Sequence, residues 1–332
     1  MKRRLLKIVD SLNLFHFFNF FTKNSAMVFM MHNFCGWGER DGASHPADIL
    51  DASLRYLSHN NYSVLPLSEY IKKLKEHSRL YKSVVFSVDD GYHDFYDCAY
   101  PVFKKHKIPA AVFLTSDFID GKLDLWWDQV RHVITHNEEP ELKLELHGEP
   151  SSFSLRNADE RKHAIHAVID YCKTIPDDQR CALVNNLTMK FDGYSSGYYQ
   201  KKRPLLWDHI YEMQKHNIEF FPHTKTHPVL SRCTVEKVRH EISESKKSLE
   251  AKLKKPADIF CYPNGKYDDF NNDIISILQE EGYTAALTAE EGFDNAQRNT
   301  DLYRLRRYPF PNDLLKFKQL VSGLERFKEA SR

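Results

Sequence analysis

Two clusters of side chains have the types and spacing that metal-assisted hydrolysis requires. The first is Val84-Val85-Phe86-Ser87-Val88-Asp89-Asp90-Gly91. Its apolar run reads as a buried strand, and the strand ends in two carboxylates and a glycine. Neighbouring side chains at a strand end point in different directions, so one carboxylate can face a metal and the other a substrate. Gly91 would let the backbone approach a substrate closely. Two further Asp pairs, Asp177-Asp178 and Asp268-Asp269, do not directly follow an apolar strand. The second cluster is Phe220-Phe221-Pro222-His223-Thr224-Lys225-Thr226-His227-Pro228. Two imidazoles four residues apart can share one turn and one ion. With 17 histidines such pairs also arise by chance, and His132 and His136 have the same spacing. His223 and His227, however, follow an apolar strand and are bracketed by prolines, as a strand-end loop should be. Two histidines and one carboxylate make a mixed nitrogen and oxygen site with open positions, suited to Zn²⁺ or another late divalent ion and able to activate water.

The order of these two motifs resembles the polysaccharide deacetylase family, carbohydrate esterase family 4, also called the NodB homology domain. The first family motif, Thr-Phe-Asp-Asp-Gly, reads here Ser87-Val88-Asp89-Asp90-Gly91. The second, His-Ser/Thr-x-x-His, reads His223-Thr224-Lys225-Thr226-His227. The third, Arg-x-Pro-Tyr-Gly, corresponds to Cys261-Tyr262-Pro263-Asn264-Gly265. The likeness covers roughly residues 27 to 310. It implies that Asp90, His223 and His227 hold one divalent metal, most simply zinc, with cobalt or nickel as other candidates. It implies that Asp89 is the general base and that metal-bound water is the nucleophile. The acyl oxygen would be stabilised by the metal and by a backbone N–H at Asn264, with Tyr262 and Gly91 near the substrate. The substrate would be an acetylated glycan or glycan precursor, in the setting of exopolysaccharide assembly.

Two departures from the family pattern matter. The third-motif arginine, which orients the base in typical members, is Cys261; Arg304 and Arg306 are candidates to replace it. The Leu-x-His motif that supplies the acid is missing, since no histidine follows His240. An amide needs such an acid because an amine anion leaves poorly. His32 is the substitute candidate. It ends the apolar run Met27-Val28-Phe29-Met30-Met31 and so should face the same rim as Asp89. This resembles the permuted arrangement of poly-N-acetylglucosamine deacetylases. An O-acetyl esterase, which needs less help from an acid, and a catalytically silent glycan-binding or assembly protein are the alternative readings. His93 and Asp94 could line the mouth, and Trp126, Trp127 and Trp207 could either stack on sugars or pack an insertion.

These residues need a scaffold that brings strand ends together. Strands are expected at Met27–Met31, Ser63–Leu65, Val84–Val88, Ala110–Leu114, Ile218–Phe221, Ile259–Tyr262 and Ala285–Thr288. Helical patterns fill the gaps, including Pro46–Asn60, Thr234–Lys254, Phe270–Glu281, one capped by Ser68 and one from Tyr92 to His106 interrupted at Pro101. Alternation of strand and helix implies a parallel α/β fold. The resemblance sharpens this to a distorted (β/α)7-type barrel with a mainly helical insertion at about 125–206, which carries a hairpin around His147-Gly148. The catalytic domain is expected over 27–311. An amphipathic helix over 1–26 precedes it, with Leu5, Ile8, Val9, Leu12, Phe15 and Phe18 near one face, and a closing helix over 312–332 follows.

The 332 residues carry 47 basic and 46 acidic side chains, a net charge of +1, which argues against a general nucleic-acid binder. No apolar run reaches 18 residues, so no membrane-spanning helix is expected. The six cysteines, at irregular spacing with no C-x-x-C pair, fit a reducing compartment. These features lead to the expectation of a cytoplasmic protein. Lys2, Arg3, Arg4 and Lys7 beside an aromatic run add the option of peripheral contact between the first helix and a membrane surface.

Overall fold

The computed structural model describes residues 3–189, 202–298 and 300–330. Lys2, the 190–201 part of the expected insertion and residues 331–332 lie outside the described residues.

Twelve strands occur among the described residues. In chain order they are β1 (Ala26–Met31), β2 (Phe34–Cys35), β3 (His45–Pro46), β4 (Ser63–Val64), β5 (Ser83–Val88) and β6 (Ala110–Leu114). There follow β7 (Glu141–Leu146), β8 (Glu149–Ser154), β9 (Ile218–Pro222), β10 (Ile259–Cys261), β11 (Ala285–Leu287) and β12 (Tyr308–Pro309). The main sheet is parallel and runs β12-β1-β5-β6-β9, with β4 paired to the start of β5. Strands β5 and β6 are buried along their whole length, which is why they read as continuous apolar runs rather than alternating ones. Strands β10 and β11 form a separate parallel pair, joined by a parallel bridge from Leu287 to Leu305. The segment Leu305–Pro309 therefore touches the small pair at one end and β1 at the other. Among the described residues no ladder joins β9 to β10.

Helices α1 (Arg3–Ser11), α2 (Ala47–His59), α3 (Leu67–Lys75), α4 (Tyr100–His106) and α5 (Ser116–Ile119) are followed by a layer of three: α6 (Trp126–His136), α7 (Ala158–Thr174) and α8 (Asp177–Met189). This layer has its own core, with Trp126, Val130, Ile134, Val168 and Val184 buried together. Strands β7 and β8 form the expected antiparallel hairpin, turned at His147 and Gly148, both with positive φ.

Several helix expectations change. Ser68 does not cap α3: the helix starts one residue earlier behind Pro66, and the Ser68 hydroxyl instead donates to Glu219. The Tyr92–His106 helix is irregular, with a wide π-type turn at Phe95–Ala99 leading into α4, where Pro101 sits in the first turn and loses no bond. The N-terminal helix breaks at Asn13, which adopts a left-handed conformation, and continues as a 3₁₀ segment, Leu14–Thr22. That break changes the buried face. Leu6 and Phe15 pack against Leu324, while Leu5, Ile8, Leu12, Phe17 and Phe20 face solvent. The closing helix is also two, Leu314–Val321 and Leu324–Ala330, separated at Gly323. A side chain at Gly323 would meet the Phe18 carbonyl at 2.7 Å.

The turn after β10 sets the most sensitive backbone position of the site. Asn264 and Gly265 both have positive φ, and the Gly265 carbonyl accepts from the Ala289 N–H at 2.7 Å. A Cβ on Gly265 would lie 2.8 Å from that same backbone nitrogen. Gly265→Ala is therefore expected to cost about 2–3 kcal/mol of stability. A melting curve that does not move would show that the turn relaxes without cost.

Candidate active site

Asp89 and Asp90 follow the last residue of β5, and the Asp89 N–H donates to the Met31 carbonyl at 2.9 Å. That bond holds the ends of β5 and β1 together, so His32 and Asp89 share a rim. Asp90 takes a left-handed backbone conformation, which turns its carboxylate away from that of Asp89.

Both oxygens of Asp89 are held by Arg307. Nη1 donates to Oδ1 at 2.8 Å and Nη2 to Oδ2 at 2.9 Å. Arg307 is 1% exposed, so its remaining donors must also be met. Nε donates to the Thr288 carbonyl at 2.7 Å, Nη1 to Ser87 Oγ at 3.0 Å, and Nη2 approaches Cys261 Sγ at 3.1 Å. Burial alone would push the Asp89 carboxyl up, but the charges of Arg307, His223 and His32 outweigh it and hold the group well below the usual carboxylate range. Burial pushes the Cys261 thiol well up, so it stands beside the guanidinium as a neutral group.

Arg304 and Arg306 do not play this part. Arg304 pairs with Asp301 and Asn272, and Arg306 with Asp294. The guanidinium comes from the next residue along, because Arg307 immediately precedes β12 and is carried by that strand's pairing with β1. Its signal in the sequence was faint: a basic residue just before an aromatic-proline pair.

Asp90, His223 and His227 converge. Asp90 Oδ1 lies 3.6 Å from His223 Nε2 and 3.4 Å from His227 Nε2. One ligand atom from each residue falls within 4.8 Å of the others, and all three residues are buried. His223 Nδ1 pairs with the Cys261 carbonyl at 2.8 Å, which leaves Nε2 to face Asp90. Burial, then the neighbouring His227, lowers the His223 pKa to about 4, so its lone pair is free near neutrality. Two imidazoles and one carboxylate around a common point fit a late divalent cation. Asp89, His223 and Cys261 form a second close group. It fits a cation less well, because Arg307 occupies both Asp89 oxygens and the thiol is protonated.

The histidine loop is pinned from below. Buried Glu241, in the helix Val235–Leu253, accepts from the N–H groups of Lys225 and Thr226 at 2.9 and 2.8 Å and from the Thr226 hydroxyl at 2.7 Å. Thr224 and His227 both have positive φ, and the Thr224 hydroxyl accepts the His227 N–H at 3.0 Å. Trp126 Nε1 donates to the His227 carbonyl at 3.3 Å, and the Trp127 ring lies edge-on to the His227 ring at 4.4 Å. The first helix of the insertion thus buttresses a predicted ligand.

These groups open onto one cleft of about 540 Å³, whose lining includes His32, Asp89, Asp90, Trp127, His223 and Asn264. The His32 side chain is 46% exposed and its Nε2 lies 3.7 Å from Asp89 Oδ2. The buried Asn264 Nδ2 has no hydrogen-bond partner. Five expected site residues fall elsewhere. Tyr262 turns away by strand alternation, stacking on Phe270 and donating to the Tyr303 carbonyl. Gly91 packs under Ile119 and Leu114, and its N–H donates to the Asp89 carbonyl at 3.0 Å; it is a turn residue rather than a substrate contact. His93 is buried against Asp97 and His209. Asp94 is half-buried, and desolvation of its carboxyl pushes it up to about 7. Trp207 donates to Asp120 beside Lys252, away from the cleft.

Residues 77–148 and 158–286, more than half of the chain, match the family model described as Polysaccharide deacetylase. Among curated proteins, the chain is 22% identical over 263 residues to "Putative polysaccharide deacetylase YxkH" of Bacillus subtilis (strain 168). The match covers 79% of this chain and 64% of that relative's length. Among solved structures, the Streptococcus pyogenes deacetylase PplD, determined with acetate, superposes with a TM-score of 0.59 at 17% identity, covering 91% of this chain and 97% of that one. IcaB from Ammonifex degensii gives 0.56 at 15%, covering 90% and 97%. A de-N-acetylase from Aggregatibacter actinomycetemcomitans gives 0.54 at 16%, covering 89% and 99%. At these identities the structural likeness is one of fold. Together with the family match, it establishes that the chain belongs to the polysaccharide deacetylase family.

Proposed function

We propose that the protein is a metal-dependent hydrolase that removes N-acetyl groups from amino sugars of a polysaccharide or glycan precursor. The observation that carries this reading is the facing pair in one cleft, a carboxylate fixed by a buried arginine and an exposed imidazole 3.7 Å away. Amide hydrolysis needs a base for the attacking water and an acid for the departing amine. Asp89 takes the water's proton, and Arg307 holds its plane while doing so. His32 in its protonated form delivers a proton to the leaving nitrogen. The Asn264 backbone, in its left-handed turn, offers an N–H toward the acyl oxygen. Asp90, His223 and His227 would hold one divalent ion, with zinc favoured by the donor set over cobalt or nickel. Such an ion, when bound, supplies the Lewis acidity that acidifies water and polarises the acetyl carbonyl. The arginine missing from the third motif had favoured a silent scaffold; a guanidinium on Asp89 from Arg307 weakens that alternative.

Three outcomes test the roles. Asp89→Asn should retain stoichiometric metal yet lose at least about 10²-fold in turnover on N-acetylglucosamine oligomers, whereas His223→Ala should lose metal and turnover together. Full activity in Asp89→Asn would remove it as the base. Arg307→Gln should keep the metal but lower kcat by roughly 10–100-fold, with Arg307→Lys restoring little because a lysine cannot make the planar fork. Loss of metal in Arg307→Gln would mean that the arginine serves the ligand loop instead. His32→Ala should abolish acetate release from N-acetylated oligomers while sparing an acetyl ester with a good leaving group. Equal losses on both would end its assignment as the acid, and a wild-type preference for acetylated xylan would favour the esterase reading.

A further inference from the structure

Three cations in the cleft have no part in the chemistry above. Arg131, Lys173 and Lys202 line the same cavity as Asp89, His223 and Asn264. Arg131 comes from α6 and Lys173 from α7, so the helical layer contributes a basic wall to the site. The two lysines are held weakly by their hydrogen-bond partners. Lys173 pairs at 3.0 Å with Asp170, which is 72% exposed, and an exposed pair of this kind is worth little. Arg131 is the best satisfied of the three, donating at 3.2 Å to Oδ1 of buried Asp128, whose Oδ2 accepts the Tyr92 hydroxyl. Lys202 Nζ makes its hydrogen bond to a neutral group, Asn33 Oδ1, at 2.9 Å, and lies 5.0 Å over the Tyr92 ring. Of the two carboxylates that line the cleft, Asp89 is bound by Arg307 and Asp90 faces the histidines; Asp41, Asp94 and Asp128 also act on Lys202, and burial pushes the carboxyls of Asp94 and Asp128 up.

The chain as a whole carries only +1, so the concentration of positive charge here is local rather than a spillover of general basicity. A concave site lined by one sign of charge focuses its field on whatever enters. We infer that the natural substrate is an anionic glycan, in which the acetylated sugar neighbours a residue bearing a carboxylate or a phosphate. Lys173 and Lys202 bind that negative group, with Arg131 in support, while the acetamide reaches Asp89 and His32. This rests on the deacetylase reading for the position of the acetyl group, but the recognition of charge can be read without turnover.

The test is binding to the Asp89→Asn variant, followed by calorimetry at low and high salt. The ligands are chitotetraose, a tetrasaccharide alternating N-acetylglucosamine with glucuronate, and a phosphate-substituted chitotetraose. At least one acidic ligand should bind about tenfold more tightly than chitotetraose at low salt, with the advantage shrinking as salt rises. The comparison of glucuronate with phosphate identifies which anion the wall suits. Adding Lys173→Gln and Lys202→Gln to the same background should close most of the gap between acidic and neutral ligands, and Arg131→Gln alone should narrow it. Equal binding of neutral and acidic ligands, or an acidic preference that survives both lysine changes, would overturn the inference. An acidic preference with no acetate release by the metal-loaded wild-type protein would instead overturn the deacetylase reading and leave the charge recognition standing.

Discussion

The buried fork between Arg307 and Asp89 is the interaction on which the site depends. Taking two charges out of water is costly, and a pair repays that cost only when its geometry is good and its remaining hydrogen bonds are met. Here all the donors of the guanidinium are directed at acceptors: the two oxygens of Asp89, the Ser87 hydroxyl, the Thr288 carbonyl and the Cys261 sulfur. Those acceptors come from the end of β5, the end of β10 and the residue after β11. One side chain therefore ties the end of β5 to the paired strands β10 and β11, which among the described residues no ladder joins to β5. The small side chain at Cys261 leaves the space that the guanidinium fills. An arginine lost from one motif is thus replaced by one from the opposite side of the same point.

A second constraint is the shape of the loop after β9. Its two histidines can face one carboxylate only because Thr224 and His227 both take left-handed conformations. Such conformations are unfavourable for residues with a Cβ and persist where the surroundings over-determine them. Glu241 supplies part of that, as a buried carboxylate filled by two backbone N–H groups and a hydroxyl. The insertion supplies the rest through Trp126 and Trp127. A helical layer that begins far from the histidines in sequence is therefore part of what makes them a pair.

Much of this was legible from the residues. Ala110–Leu114 and the Val84–Val88 run stand out because a strand buried on both faces must be apolar throughout. The hairpin at His147-Gly148 follows from turn chemistry, and the convergence of Asp90, His223 and His227 from strand ends. What was not legible has physical causes. Arg307 looked like one of several solvated cations, since nothing local distinguishes a buried arginine from an exposed one when its partners lie far away in sequence. Glu241 sits in a helix rich in Glu and Lys, where a buried carboxylate is hidden by its neighbours. The two-residue strands β2, β3 and β12 are too short to show a period. The N-terminal face is split at Asn13, whose left-handed backbone resets the helical phase: Leu5, Ile8 and Leu12 before it face out, while Phe15 and Phe18 beyond it turn inward, which no periodicity count can anticipate.

That reset leaves Leu5, Ile8, Leu12, Phe17 and Phe20 turned outward on a segment joined to the body near Leu80 and Lys82, ahead of β5. Asp89 lies past the other end of β5, roughly 20 Å along the strand. Phe20, next to that anchor, and the cleft are thus at opposite ends of the same strand. The α1 part runs back toward the other end, where Arg3 pairs with Asp313 beside the Asn312–His45 contact. The N-terminal segment therefore runs lengthwise along the fold, and its outward apolar side chains follow it from one end of the sheet toward the other.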